Sequence, residues 1–393
     1  MPTPNEKELC SPYAPIRLRS TLWWLYAKAM ANQHWVTAQG EIETRLPERI
    51  MTELINPYIE AFANTLQGEP HAGAILGHFV ADMYSTRHWV PLIGQYLGNG
   101  NQIFDLTDPL VESLNHTDVK DATLEGLQLP YEAFYMRFGK QPSMRLPFRT
   151  EPDAQDEPDP WEYFDGAFVA RTRWPDPPLG RHRIVFGLTT VLGDGVGRQV
   201  PGLIFDFQPE ELLLPALEAI EISLKRRVSE IIKSAEGGSA NTVAIAGYQR
   251  ARYEESAELM RQAMPLVLNG LFYLESLEGK FDTQPGRDAS SEWTVRWANS
   301  PPAKRHKLQS RLTSEGYTVV HLVGQELSSV GQASARGASA PHWRRGHWRM
   351  QPYGEGRSLR KRIRIAAQFI NPHQAPTVDV PGHIYVPGSE RSQ

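Results

Sequence analysis

Leu129-Pro-Tyr-Glu-Ala-Phe-Tyr-Met-Arg-Phe138 is the stretch from which the fold is read. It is short and dense in aromatic residues, which suits a buried strand better than a helix. Three further segments share that character: Gly166–Ala170, Arg183–Leu192 and Gly202–Phe207. Strands following one another through short connections predict an antiparallel sheet. Glu151–Asp165, with seven acids, no base and three prolines, reads as a solvated loop between the first two strands.

Working outward, the N-terminal side is helical. Leu18, Leu22, Leu25, Tyr26, Ala29 and Met30 recur at helical spacing, and 46–66 and 72–97 continue the pattern up to the turn at Gly98-Asn-Gly100. On the C-terminal side, a helix opens at Pro209-Glu-Glu with Leu213, Leu217, Ile220, Leu224, Val228 and Ile231 as its buried stripe. A second helix is expected from Ala244 to Leu277, interrupted by Pro265. A basic segment, Lys304-Arg-His-Lys307, precedes an expected strand at Tyr317–Val323, and the chain ends in an alternating strand at Lys361–Ile370. The class is therefore α+β, a mostly antiparallel sheet flanked by long helices, with a helical N-terminal region. The expected divisions are 1–120 (helical), 121–340 (α+β core) and 341–393 (final strand and tail packed on the core).

Composition narrows the function. With 393 residues, 40% hydrophobic and 22% charged, the chain has the makeup of an ordinary globular protein. A net charge of −4 excludes general polyanion binding, so any anion-binding surface is a local patch. One cysteine, Cys10, allows no internal disulfide. The most apolar run, Met264–Leu274, is broken by Pro265, Asn269 and Gly270 and is shorter than the ~18–20 residues a membrane span needs. The reading is a cytoplasmic protein without membrane contact.

The densest chemistry lies in Pro341–Ile365, where two tryptophans, two histidines, seven arginines and one lysine surround a single acid, Glu355. Arginine offers a flat, permanently charged fork of donors and tryptophan a rigid face. The residue pattern leaves three readings open: a binding surface, an internal scaffold whose arginines pair with the acidic loop, and a ribonuclease centre using His342 and His347. A zinc site built from His342, His347, His306, His321 and His373 lacks the spacing of known sites, and no metal or cofactor is expected. Gly193-Asp-Gly-Val-Gly197 opens no helix and reads as a β-turn, not a phosphate loop. Glu132, Asp165, Asp194 and Asp206 show no spacing that demands a two-metal centre.

Five ordered segments carry a resemblance: Leu129–Gly139, Phe164-Asp-Gly-Ala-Phe-Val169, His182-Arg-Ile-Val-Phe-Gly-Leu188, Leu266–Ser276 and Pro341-His-Trp-Arg-Arg-Gly-His-Trp348. Together they resemble the large type V-A anti-CRISPR proteins borne by phages and plasmids. The resemblance implies a non-enzymatic anti-defence protein acting in the cytoplasm of a prokaryotic host. Its implied partner is the N-terminal peptide of a CRISPR effector nuclease as it leaves the ribosome, with loss of the encoding mRNA, so ribosome or mRNA is an implied neighbour. The expected binding residues are His342, Trp343, Arg344, Arg345, His347, Trp348, Tyr353 and Arg357, together with Phe134, Tyr135 and Asp165 on the sheet. The alternative is an RNA-binding protein or ribonuclease using the same C-terminal box.

Overall fold

A computed structural model describes residues 8, 10–21, 24, 27–28, 56–69, 72, 75–76, 89–119, 122–124, 127–147, 161–171, 182–192, 195–199, 203–207, scattered positions between 217 and 233, 240–325, 342–344 and 346–370. The strands are β1 (Ile103–Leu106), β2 (Thr117–Asp118), β3 (Ala133–Arg137), β4 (Arg145–Pro147), β5 (Trp161–Arg171), β6 (His182–Leu192), β7 (Gly195–Gln199), β8 (Leu203–Phe207), β9 (Thr283–Pro285), β10 (Val319–Val323), β11 (His342–Arg344), β12 (Gly346–Tyr353), β13 (Leu359–Ile365) and β14 (Gln368–Ile370). The helices among the described residues include α1 (Ala14–Arg17), α2 (Asn56–Thr65), α3 (Asp108–Asn115), α4 (Ala240–Ser276), α5 (Ser291–Ala298) and α6 (Pro302–Ser314).

A nine-stranded sheet runs in the order β7-β6-β5-β3-β1-β10-β9, with β4 also on β5 and β8 also on β6. It is antiparallel except at its centre, where β1 lies parallel to both β3 and β10. The α+β class holds. The sheet crosses the boundary placed near 120, because β1 sits between two strands of the core.

The period-two alternation of the strands sorts their side chains onto two cores. Phe104, Phe134, Met136, Val169 and Phe186 face α4 and α3, where Met260, Leu268, Phe272 and Leu114 complete one core. Ile103, Ala133, Tyr135, Phe168 and Val185 face the N-terminal segment, where Tyr13, Leu18, Trp24, Trp89 and Tyr96 complete the other. Phe168 meets Trp89 and Tyr96 edge-on, with ring centroids 5.7 and 5.1 Å apart. Helix α4 continues through Pro265 for 37 residues and spans the face of the first core.

Two expectations need correction, and one segment that the sequence left without an assigned structure acquires one. The acidic stretch is not solvated throughout. Its last five residues are the start of β5, with Glu162 and Asp165 buried, because each carboxylate accepts a hydrogen bond from a β6 threonine, Thr190 and Thr189, at 2.9 and 2.8 Å. The first ten, 151–160, lie outside the described residues. The basic segment at 304–307 is helical, because Pro301-Pro302 starts α6 with a fixed φ. The single C-terminal strand is two, β13 and β14, which pair with different partners. Among the described residues no helix is long and apolar enough to cross a membrane.

Candidate functional site

The C-terminal box forms a ribbon. β12 and β13 pair antiparallel from His347 opposite Ile365 to Tyr353 opposite Leu359, and β12 also pairs with β2. Gly346 enters this ribbon at a point of close approach. A Cβ there would lie 2.7 Å from both the Ile365 carbonyl and the Ala367 nitrogen, and the Gly346 N–H donates to the His116 carbonyl at 2.9 Å. The Gly of Arg-Arg-Gly-His-Trp is thus set by backbone crowding.

The inner face of the ribbon is bound to the core. Trp348 is buried, and its Nε1–H donates to Asn269 Oδ1 at 2.7 Å. The Asn269 amide in turn donates to the carbonyls of Leu114 and Thr117, at 3.0 and 2.8 Å, tying ribbon, α4 and α3 together. Phe272 meets the indole edge-on at 5.4 Å. Arg362, also buried, pairs with Glu275, donates to the Thr123 carbonyl at 2.9 Å and lies 4.2 Å over the Phe272 ring. Burial raises the Glu275 pKa above its ordinary value, and Arg362 only partly offsets this. Arg364 donates to the Ser113 hydroxyl at 2.7 Å and stacks over Tyr273.

The outer face differs. His347, Arg349, Gln351 and Tyr353 stand opposite Ile365, Ile363, Lys361 and Leu359, so these eight share one surface. Leu359, Tyr353 and Ile365 are 51%, 46% and 36% exposed. Such an apolar face interleaved with bases is unusual on a strand pair already anchored from behind. Lys361 pairs with Glu278 of the turn after α4, which raises the lysine pKa and lowers the glutamate pKa.

The expected site residues therefore separate. His347 and Tyr353 are on the exposed face, and Arg357 is exposed in the turn joining β12 to β13, at φ +56°. Trp348 makes its contacts inside. His342, Trp343 and Arg344 form β11, paired with β14, while their side chains and all of Arg345 lie outside the described residues. Among the described residues, Arg362, Arg364 and Lys361 find partners on α4, α3 and the turn after α4. His373 is outside the described residues, His306 is exposed on α6, and among the described residues no group of three His, Cys, Asp or Glu side chains could hold a metal.

Phe134, Tyr135 and Asp165 have moved inward relative to expectation. Phe134 is core, and the other two belong to a buried polar network that locks the N-terminal segment onto the sheet. Asp165 pairs with Arg17 and accepts from Thr189 at 2.8 Å, and the Tyr135 hydroxyl lies 3.2 Å from the same Thr189. Beside it, fully buried Asp105 accepts from the Tyr13 hydroxyl at 2.8 Å, Arg137 at 3.1 Å and Arg287 at 3.0 Å. Burial, then the Asp105 charge, raises the Tyr13 pKa, so the phenol stays a donor. Sequence reading passed over Tyr13, Arg17, Asp105 and Arg287. The one available signal was an acid inside the apolar run Ile103-Phe-Asp-Leu106.

Residues 104–372 match the model of a family described as AcrVA2-like, the anti-CRISPR type V subtype A2 family. The match runs from β1 through the ribbon and includes both faces just described. No curated protein matches. Among solved structures, the chain is similar to one titled "Crystal structure of AcrVA2", with 14% identity over 91% of this chain and 97% of that one, at a TM-score of 0.34.

Proposed function

The chain belongs to the AcrVA2-like, type V subtype A2 family of anti-CRISPR proteins, and from that premise we propose that it counters a type V-A effector by binding a short segment of it. The observation that carries this reading is the outer face of the ribbon. Leu359, Tyr353 and Ile365 are left exposed on a surface whose reverse side is fixed by Trp348, Arg362 and Arg364. Rigid anchoring reduces the ordering cost of binding, and exposed apolar area supplies the gain. Seven residues of β13 extend ~23 Å at about 3.3 Å each, enough to receive an extended segment of similar length. Arg349, Lys361 and His347 favour a segment with acidic residues between apolar ones.

The family resemblance supports the effector's nascent N-terminus as that segment, with lowered effector mRNA as the outcome. Nucleobase stacking on Trp348 is disfavoured because the indole is enclosed by Asn269 and Phe272. The test is fluorescence anisotropy with labelled peptides from the N-termini of type V-A effectors. A Tyr353→Ala, Leu359→Ala double variant loses about 1 kcal/mol per half-exposed side chain, or about 30-fold in Kd, with little change in melting temperature. Binding of no peptide tighter than ~100 μM, about −5.5 kcal/mol, would sink the proposal.

A further inference from the structure

The helical pair α5–α6 lies at the β9–β10 edge of the sheet and takes no part in the ribbon. Helix α6 carries Lys304, Arg305, Lys307 and Arg311 and no acid, in a chain of net charge −4. Leu312 is its buried residue. At 100° per residue, His306, Lys307 and Ser310 project on the side away from Leu312, with Arg311 and Lys304 together beside Lys307. Arg311 pairs with Glu315 at 3.0 Å, and Arg305 donates to the Ser300 carbonyl at 3.3 Å while lying 6.0 Å from the Trp297 ring. Lys304 and Lys307 have no ion-pair partner among the described residues.

The placement of these charges runs against helix electrostatics. The N-terminal end of a helix favours acids and disfavours cations. The first turn of α6 has no acid and no side-chain cap, yet holds Lys304 and Arg305. That order opposes the helix dipole, and the charges of Lys304 and Lys307 are exposed to solvent. None of the exposed large apolar side chains belongs to α6, which separates this surface from the ribbon. Arg296 of α5, held 5.1 Å from the Trp293 ring, extends the positive character to the neighbouring helix.

We propose that the outer face of α6, through Lys304, Lys307 and Arg311, binds the phosphate backbone of a nucleic acid. Lysine and arginine neutralise phosphates without reading sequence, and the released counterions make such binding steeply salt-dependent. The face recognises phosphodiester charge, which RNA and DNA both present, so the assay compares the two. Labelled single strands of about 30 nucleotides, as RNA and as DNA of the same sequence, are titrated with the full chain between about 50 and 300 mM salt, with duplex DNA as a third probe. The parent gives a linear fall of log K with log salt. Lys304→Gln with Lys307→Gln removes two contacts of about 0.7 each on single strands, flattening the slope by about 1.4 and weakening binding about 25-fold at 0.1 M salt.

The same variant keeps the parent melting temperature, since both side chains are exposed. Arg349→Gln with Lys361→Gln on the ribbon leaves nucleic-acid affinity unchanged, which separates this surface from the peptide face. Tighter binding of RNA than of DNA assigns RNA as the physiological source, and equal binding supports recognition of phosphate alone. The proposal is overturned if no probe binds in a salt-dependent way, if the α6 variant binds like the parent, or if the ribbon variant abolishes binding.

Discussion

Trp348→Phe is the substitution that separates an anchor from a contact residue. The indole lies inside the ribbon, with Nε1 2.7 Å from Asn269 Oδ1 and the ring against Phe272. Replacing it by phenyl removes ~50 Å² of buried apolar surface, about 1.3 kcal/mol at 25 cal/mol/Å². It also leaves the Asn269 oxygen buried without a donor, which costs about 1–3 kcal/mol. The sum, roughly 2–4 kcal/mol, is read as a lowered urea midpoint at unchanged m. Asn269→Leu tests the bond from its other end, although it also strips the Leu114 and Thr117 carbonyls of their donor. If the bond is as described, the two substitutions are coupled by about 1–2 kcal/mol in a double-mutant cycle. Additivity within ~0.3 kcal/mol would refute it, as would intact stability accompanied by lost peptide binding, because that is the behaviour of a surface residue.

Two further outcomes follow from the interior. Arg17→Met leaves the Asp165 carboxylate buried without its cation, so stability falls by about 3–5 kcal/mol in the same denaturation assay, whereas a joint Arg17→Met, Asp165→Leu replacement recovers most of it. His321 supplies a pH dependence. Its ring stacks on Phe104 at 4.9 Å, its Nε2 sits 2.9 Å from Gln102 Oε1, and its buried Nδ1 has no hydrogen-bond partner among the described residues. Burial lowers its pKa below the ordinary 6.5. Between the two values the unfolded chain binds the extra proton, so this contribution is complete above about pH 6.5 and is lost as pH falls through the folded value, by up to about 1.4 kcal/mol per unit. Midpoints of parent and His321→Gln measured from pH 7.5 down to 5 should converge as pH falls, and parallel curves would contradict the assignment.

Most of the sheet was legible because its strands bury one or both faces. The expected strands at 183–192 and 202–207 differ from the observed ones by no more than a residue at either end. β1 was not legible. It has four residues, one of them Asp105, and it is a strand because β3 and β10 flank it and because Tyr13, Arg137 and Arg287 converge on that carboxylate from distant parts of the chain. The same cause hid the two terminal residues of the network, Tyr13 and Arg17. A local pattern does not carry a partner 92 or 148 residues away.

The box misled for a related reason. Arginine beside tryptophan suggests an outward face when each residue is weighed by its own polarity. In a strand the alternation decides instead, and here it places Trp348 with Arg362 and Arg364 on the side facing α4, while Leu359, Ile363 and Ile365 face away from the core. Sheet physics would favour the reverse, with isoleucines inside and arginines outside. Adopting that reverse arrangement takes only a one-residue slip of register. Gly346, crowded between the Ile365 carbonyl and Thr117, and the Trp348–Asn269 bond are what hold the observed register. Holding it keeps an apolar surface exposed, at a cost the buried Arg362–Glu275 pair does not recover by itself. The ribbon turns Arg362 and Arg364 inward and leaves Leu359, Tyr353 and Ile365 exposed, and that exposed face is where the proposed partner is to be sought.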